Sequence, residues 1–242
     1  VRSNGLAAVD IRNPEAPRLL GTLDTPRDAL KVSVQGNYAC VADRGGGLVV
    51  VNISDPTNMR QVGKLSSTGE TMDVAMGGQY AYIADNWGGI FAVDLGDPAA
   101  PKRLGNGRTF SYANGLCYRE GYVFVGDAGA GLRIYDVSKP LQIAFVGGCD
   151  TPGWSTGVSL KDGYAAVADQ TGGLSFFDVS DPRSPRLVYR LGGSGVAQRV
   201  AFIDHNTFRI TISSFVDAYN FDAKSIKKEC VHVITPDLKR IP

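Results

Sequence analysis

Histidine is nearly missing from this chain: His205 and His232 are the two in 242 residues. One falls in a predicted turn and the other on a predicted outer strand, so a His-based zinc site or a Ser-His-Asp triad is not expected. Cysteine is scarce as well, with four residues and no C-x-x-C pair, which argues against a metal knuckle or a redox motif. Lys plus Arg is 25 against 24 for Asp plus Glu. Without a basic excess, nucleic acid is not expected as a partner. No apolar run approaches the roughly 18 residues of a membrane span. No segment offers a helix of ten or more residues, because Gly, Pro, Asp or Asn bounds every short apolar stretch. The chain starts at Val1 with no visible leader, as expected of a processed protein or of a piece of a longer one.

What the chain has in abundance is repetition. GLAAVDIRNP starts at Gly5, GLVVVNISDP at Gly47, GIFAVDLGDP at Gly89, GLRIYDVSKP at Gly131 and GLSFFDVSDP at Gly173, each 42 residues after the last. A second element keeps the same period: NYACVAD at 37–43, QYAYIAD at 79–85, GYVFVGD at 121–127 and GYAAVAD at 163–169. A third precedes it and alternates a larger apolar column (Val32, Val74, Leu116, Val158, Val200) with a small one (Ser33, Ala75, Cys117, Ser159, Ala201). A period of two is that of a strand. The small column suits an innermost strand crowded near an axis. A fourth element, such as RQVGKL at 60–65, follows the Asp-Pro turn.

Four short antiparallel strands in 42 residues predict a blade of an all-β propeller. With strands A to D in chain order, full blades are expected at about 26–67, 68–109, 110–151, 152–193 and 194–235 of a single domain. The fifth is degenerate, with TFRITIS at 207–213 and FVDAYNF at 215–221 in place of its B and C strands. Residues 1–25 supply strands C and D of a closing blade, and 236–242 would begin its strand A near Leu238. Six units of 42 exceed the 242 residues present, so strand B of that shared blade is missing. A truncated chain or an incomplete last blade is the expectation, with a larger ring that has whole blades missing as the alternative.

The runs Leu48–Asn52, Leu132–Asp136 and Leu174–Asp178, each followed by a DP-type turn, together with YAYIAD at 80–85, resemble LVIVD-repeat proteins. The resemblance spans roughly residues 5–222, departing from the pattern at Asn206 and Thr211. It implies a propeller, often carried by bacterial or archaeal proteins that are secreted or attached to the surface. An extracellular or cell-surface location is therefore the expectation. The resemblance brings no catalytic motif to transfer. The Gly-His opener and Trp-Asp close of WD40 repeats are absent.

Repeats separate blade residues from site residues. The columns Asp43, Asp85, Asp127, Asp169 and Tyr38, Tyr80, Tyr122, Tyr164 recur in every intact unit, so they are expected to serve the blade. Each Asp would accept hydrogen bonds from the Gly-rich turn that follows it. Cys40, Cys117, Cys149 and Cys230 align with small or apolar residues and are expected as buried free thiols. No metal and no cofactor is expected.

The columns that vary lie in the D–A and B–C loops, at one end of the ring. Strand A opens on Asp28, Glu70, Tyr112, Trp154 and Val196, preceded in the first blade by Arg27. Asn114, Gln198 and Arg199 follow in later columns, and the B–C loops add Arg44, Asn86, Trp87 and Gln170. Aromatics, carboxylates, arginines and amides would thus gather at a channel mouth, where sugar rings stack on flat aromatics and polar groups fix orientation. Three readings compete. One is a non-catalytic module whose mouth binds a glycan, a peptide or a protein. Another is a polysaccharide-active lyase or hydrolase, with Tyr112 or Glu70 as acid or base and Arg27 or Arg199 neutralising a uronate. The last is a structural segment of a larger surface protein.

Overall fold

A computed structural model describes residues 5–13, 15–192, 196–202, 208–212, 233–234 and 240–241. Strands β1 (Gly5–Asp10) and β2 (Arg18–Asp24) form a two-stranded sheet. Five four-stranded antiparallel sheets follow, each consecutive in order. The first holds β3 (Lys31–Gln35), β4 (Tyr38–Ala42), β5 (Leu48–Asn52) and β6 (Arg60–Leu65). The second holds β7 (Asp73–Gly77), β8 (Tyr80–Ala84), β9 (Ile90–Asp94) and β10 (Lys102–Gly107). The third holds β11 (Gly115–Arg119), β12 (Tyr122–Gly126), β13 (Leu132–Asp136) and β14 (Ala144–Cys149). The fourth holds β15 (Gly157–Lys161), β16 (Tyr164–Ala168), β17 (Leu174–Asp178) and β18 (Arg186–Leu191). The fifth holds β19 (Ala197–Phe202), β20 (Phe208–Ile212), β21 (Val233–Ile234) and β22 (Arg240–Ile241).

The first four of these sheets carry the A–D strands read from the 42-residue period. In the fifth sheet the third and fourth places belong to Val233–Ile234 and Arg240–Ile241. The segment 215–221, expected as its third strand, lies outside the described residues, as do His205, His232 and Cys230. Arg240–Ile241, assigned from sequence to the closing blade, pairs here as the outer strand of the fifth sheet.

The C–D ladder has a bulge at one repeated place: between Ala8 and Val9, between Val50 and Val51, and between Phe176 and Phe177. Recurrence at the same column marks it as part of the repeat. The DP turn also has a repeated job. Asp55, Asp97 and Asp181 each accept the N–H of the residue two further on, which tightens the turn. The turn then docks on a glycine of the previous D strand. A side chain at Gly63 or Gly147 would run into the carbonyl of Pro98 or Pro182.

The chain divides into two compact units, residues 1–109 with 137–144, and 110–136 with 145–242. In the first unit, Cys40, Ala42, Leu48 and Val50 pack against Val74, Ile83, Phe91 and Val93. On the other face of the same sheet, Val41, Val49 and Val51 meet Leu6, Ala8 and Leu23. In the second unit, Phe124, Leu132 and Ile134 pack against Val158, Val167 and Phe177, and Leu174 and Phe176 against Ala197 and Val200.

The larger apolar column of strand A is buried at Val74, Leu116, Val158 and Val200. Val32 departs from it at 47% exposure. Among the described residues the sheet before it has two strands, β1 and β2, without the inner pair that covers this column elsewhere. The small column earns its size through a specific contact. The hydroxyl of Ser33 accepts the N–H of Met76 at 3.0 Å, and that of Ser159 accepts the N–H of Phe202 at 3.2 Å. Neighbouring A strands approach closely enough to be bonded through a serine.

Candidate functional site

Each D–A loop is held by the aspartate that ends strand B of its own blade. Asp43, Asp85, Asp127 and Asp169 are fully buried. Asp43 accepts the Thr25 hydroxyl at 2.7 Å and the N–H of Arg27 at 2.9 Å. Asp85 accepts the Ser67 hydroxyl and the N–H of Gly69. Asp169 accepts the hydroxyls of Thr151 and Ser155 at 2.5 and 2.9 Å and the N–H of Gly153 at 2.7 Å. The sequence reading gave these carboxylates to the Gly-rich turn. The bonds run instead to the loop 14–18 residues upstream. The turn makes room for the carboxylate: a Cβ at Gly46, Gly88 or Gly172 would collide with it.

The third blade varies this clasp. Ala130 stands in the glycine column, and Asp127 takes two backbone donors, the N–H groups of Phe110 at 2.8 Å and Ser111 at 2.9 Å. In the first and fourth blades the position of Phe110 is Pro26 or Pro152, which has no N–H to give. Burial pushes the Asp127 carboxyl above the ordinary carboxylate range, against the lowering effect of its two donors.

The B–C turn of one blade meets the D–A loop of the next. Arg44, Asn86, Ala128 and Gln170 occupy one column with positive φ of 33–46°. Backbone bridges join Arg44 to Thr71, Ala128 to Ser155 and Gln170 to Ala197. Both loop sets therefore lie at the same end of the blades, as expected.

In the first unit two of the charged candidates, Arg44 and Glu70, pair with each other. Arg44 Nε lies 3.3 Å from Glu70 Oε2, and Lys31 Nζ lies 3.5 Å from Asp73 Oδ2. Arg27 and Asp28 are exposed, and Arg27 gives its backbone N–H to the clasp. Asn86 is half-buried, and Trp87 beside it is 62% exposed.

The second unit carries the aromatic candidates. Tyr112 and Trp154 stack, with ring centroids 5.7 Å apart and planes 28° from parallel. They remain 43% and 41% exposed. Asn114 Nδ2 donates to the carbonyl of Ser155 at 3.3 Å, and the Thr156 hydroxyl donates to the carbonyl of Gln198 at 2.9 Å. With the Gln170–Ala197 bridge, these contacts make one continuous strip from Tyr112 to Gln198. Arg199, at the head of strand A, is exposed.

Sequence reasoning missed a second aromatic group in this unit. Phe110 and Phe145 meet edge to face at 4.9 Å, with the Arg133 guanidinium 5.2 Å from the Phe110 ring and bonded to Asp150 at 2.6 Å. Column comparison would have flagged Phe110, since Pro26, Thr68 and Pro152 stand at its position.

The cysteines are free thiols where described. Cys40 is buried, and its thiol is pushed up to about 12 by desolvation. Cys117 and Cys149 are half-buried and donate to the carbonyls of Val158 and Pro185. Among the described residues no group of three or more His, Cys, Asp or Glu side chains forms a metal site. Nor, among the described residues, is any helix long and apolar enough to cross a membrane.

Solved structures place this architecture. The β-propeller domain of Cps50 (Swd1) from Myceliophteria thermophila superposes with a TM-score of 0.73 at 12% identity, covering 100% of this chain and 83% of that one. A functionally unknown protein from Desulfotomaculum acetoxidans gives 0.80 at 11% identity, covering 99% and 78%. The computationally designed Ika8 protein gives 0.68 at 13% identity; it matches 93% of this chain, which spans 64% of the Ika8 length. At such identities the likeness is one of fold, and the fold is the β-propeller. No curated protein matches the chain. The family model of the LVIVD repeat matches five times, over residues 1–25, 26–66, 68–109, 112–151 and 152–191. Those boundaries fall on the blades, and the chain belongs to the LVIVD repeat family.

Proposed function

We propose that this chain is a non-catalytic binding module of a secreted or surface protein, and that it takes its ligand on the D–A loops of the third and fourth blades. The observation that carries the reading is the Tyr112–Trp154 pair. Two large aromatic rings stand more than 40% exposed on loops that are themselves locked by buried aspartates. Exposed Trp and Tyr on a rigid support are the usual anchors of recognition surfaces. The enzyme reading loses ground at Glu70, whose carboxylate is engaged by Arg44. A general acid or base has to reach its substrate's proton.

The test is a mixed array of oligosaccharides, peptides and extracellular proteins, probed with the wild type and with a Tyr112→Ala/Trp154→Ala variant. Binding by the wild type that vanishes in a variant of unchanged melting temperature supports the module. Equal binding by both, or none by the wild type, overturns it.

A further inference from the structure

We infer that the ligand of the Tyr112–Trp154 surface is a polysaccharide, one of whose pyranose rings lies against the exposed aromatic pair. The inference rests on the binding-module reading and narrows it to one chemistry. Three features of the strip point the same way.

The first is the rings. A pyranose presents a face of C–H groups, and an aromatic face covers that apolar surface while leaving the sugar's hydroxyls at the rim. Tyr112 and Trp154 stack on each other at 5.7 Å, on neighbouring blades of one unit, and each stays more than 40% exposed.

The second is what flanks them. The strip is made of Asn114, Thr156, Gln170 and Gln198, all neutral amides or hydroxyls that can both give and accept hydrogen bonds. The clasp carboxylates Asp127 and Asp169 are fully buried, and Asp150, on the same loop as Trp154, is paired with Arg133. A lipid surface would call for apolar flanks, and nucleic acid for a basic field. A hydroxyl-rich ligand matches neutral groups of mixed polarity.

The third is preorganisation. The N–H groups of Phe110 and Ser111 are bound by Asp127, and Thr151, Gly153 and Ser155 are bound by Asp169. Tyr112 and Trp154 each follow within two residues of a clasped one. The loops are ordered before any ligand arrives, so little ordering entropy is lost on binding.

Affinity electrophoresis tests this directly. The protein is run in native gels containing hydroxyethylcellulose, arabinoxylan, galactomannan or sodium polygalacturonate, beside a gel with no polymer. Retardation in at least one polymer gel is expected. Trp154→Ala and Tyr112→Ala should each weaken it about thirtyfold, as for loss of an anchoring aromatic. Val188→Ala, on the outer strand β18 of the same unit, should leave the retardation unchanged. Melting curves confirm that the variants fold. No retardation in any polymer gel overturns the inference, and so does retardation that survives Trp154→Ala. A proline decamer in a fluorescence titration separates the two levels. If it binds in a Trp154-dependent way while no gel retards the protein, the polysaccharide assignment falls and the binding surface stands.

Discussion

Ser175 offers a test of the packing argument with a definite sign. It sits second on β17, in a column held by Val49 and Phe91 in the first two blades. Its side chain is fully buried, and its hydroxyl has no hydrogen-bond partner among the described residues. Leu174 and Phe176 face one core, so Ser175 shares the opposite face with Phe177, and it lies across from Val167. A buried, unpaired hydroxyl costs about 1–3 kcal/mol. Ser175→Ala removes that cost and leaves a hydroxyl-sized void worth roughly 0.5 kcal/mol. The net expectation is a gain of about 1 kcal/mol. Ser159→Ala is the matched control, because that hydroxyl accepts the N–H of Phe202 at 3.2 Å. The same substitution there should lower stability by about 1 kcal/mol. Urea unfolding at neutral pH reads both, as midpoints displaced in opposite directions from the wild type at constant slope. Displacement of both midpoints in the same direction would show that serine-to-alanine replacement acts through strand propensity here and not through hydroxyl satisfaction.

Asp169→Ala strands three donors, and should cost roughly 3 kcal/mol or more and free the Trp154 loop; denaturation and acrylamide quenching of tryptophan fluorescence read the two effects, and unchanged quenching would detach the loop from the clasp. Gly131→Val should cost at least about 3 kcal/mol, since φ is 84° and a Cβ would lie 2.6 Å from the Cys149 carbonyl; a wild-type melting temperature would disprove the turn geometry. Burial raises the Cys40 thiol from 9.0 to about 12, so the native state holds this proton after the unfolded chain has lost it. Stability from this group is therefore complete below about pH 9 and lost as pH rises toward 12. Cys40→Ala should flatten that alkaline decline relative to wild type, and parallel pH curves would contradict it.

The 42-residue period was enough to specify the repeat and, through the fourth four-stranded sheet, the order of the strands. These follow from short-range rules: alternation makes a strand, and a DP or Gly-containing turn ends it. Such rules act within a few residues, so they repeat wherever the sequence repeats. The clasp was half legible. The Asp column stood out, and so did Thr25-Pro26 and Thr151-Pro152, but nothing local says that a carboxylate reaches 16 residues back and not three forward. The Ser/Thr column at 25, 67, 109 and 151 was the unused signal.

Column alignment likewise assigned Arg44, Glu70, Tyr112 and Trp154 to loops expected at one end of the blades, without telling which would pair or what each would do. Arg44 and Glu70 pair and cancel each other's charge, whereas Tyr112 and Trp154 stack and stay exposed. Hydrogen bonds and ring contacts are decided over fractions of an ångström, by side chains on separate strands whose spacing only the packed sheets establish. Periodicity along the chain therefore determined the blade, and the lateral fit of one blade on the next decided which of its variable residues neutralise each other and which stay exposed.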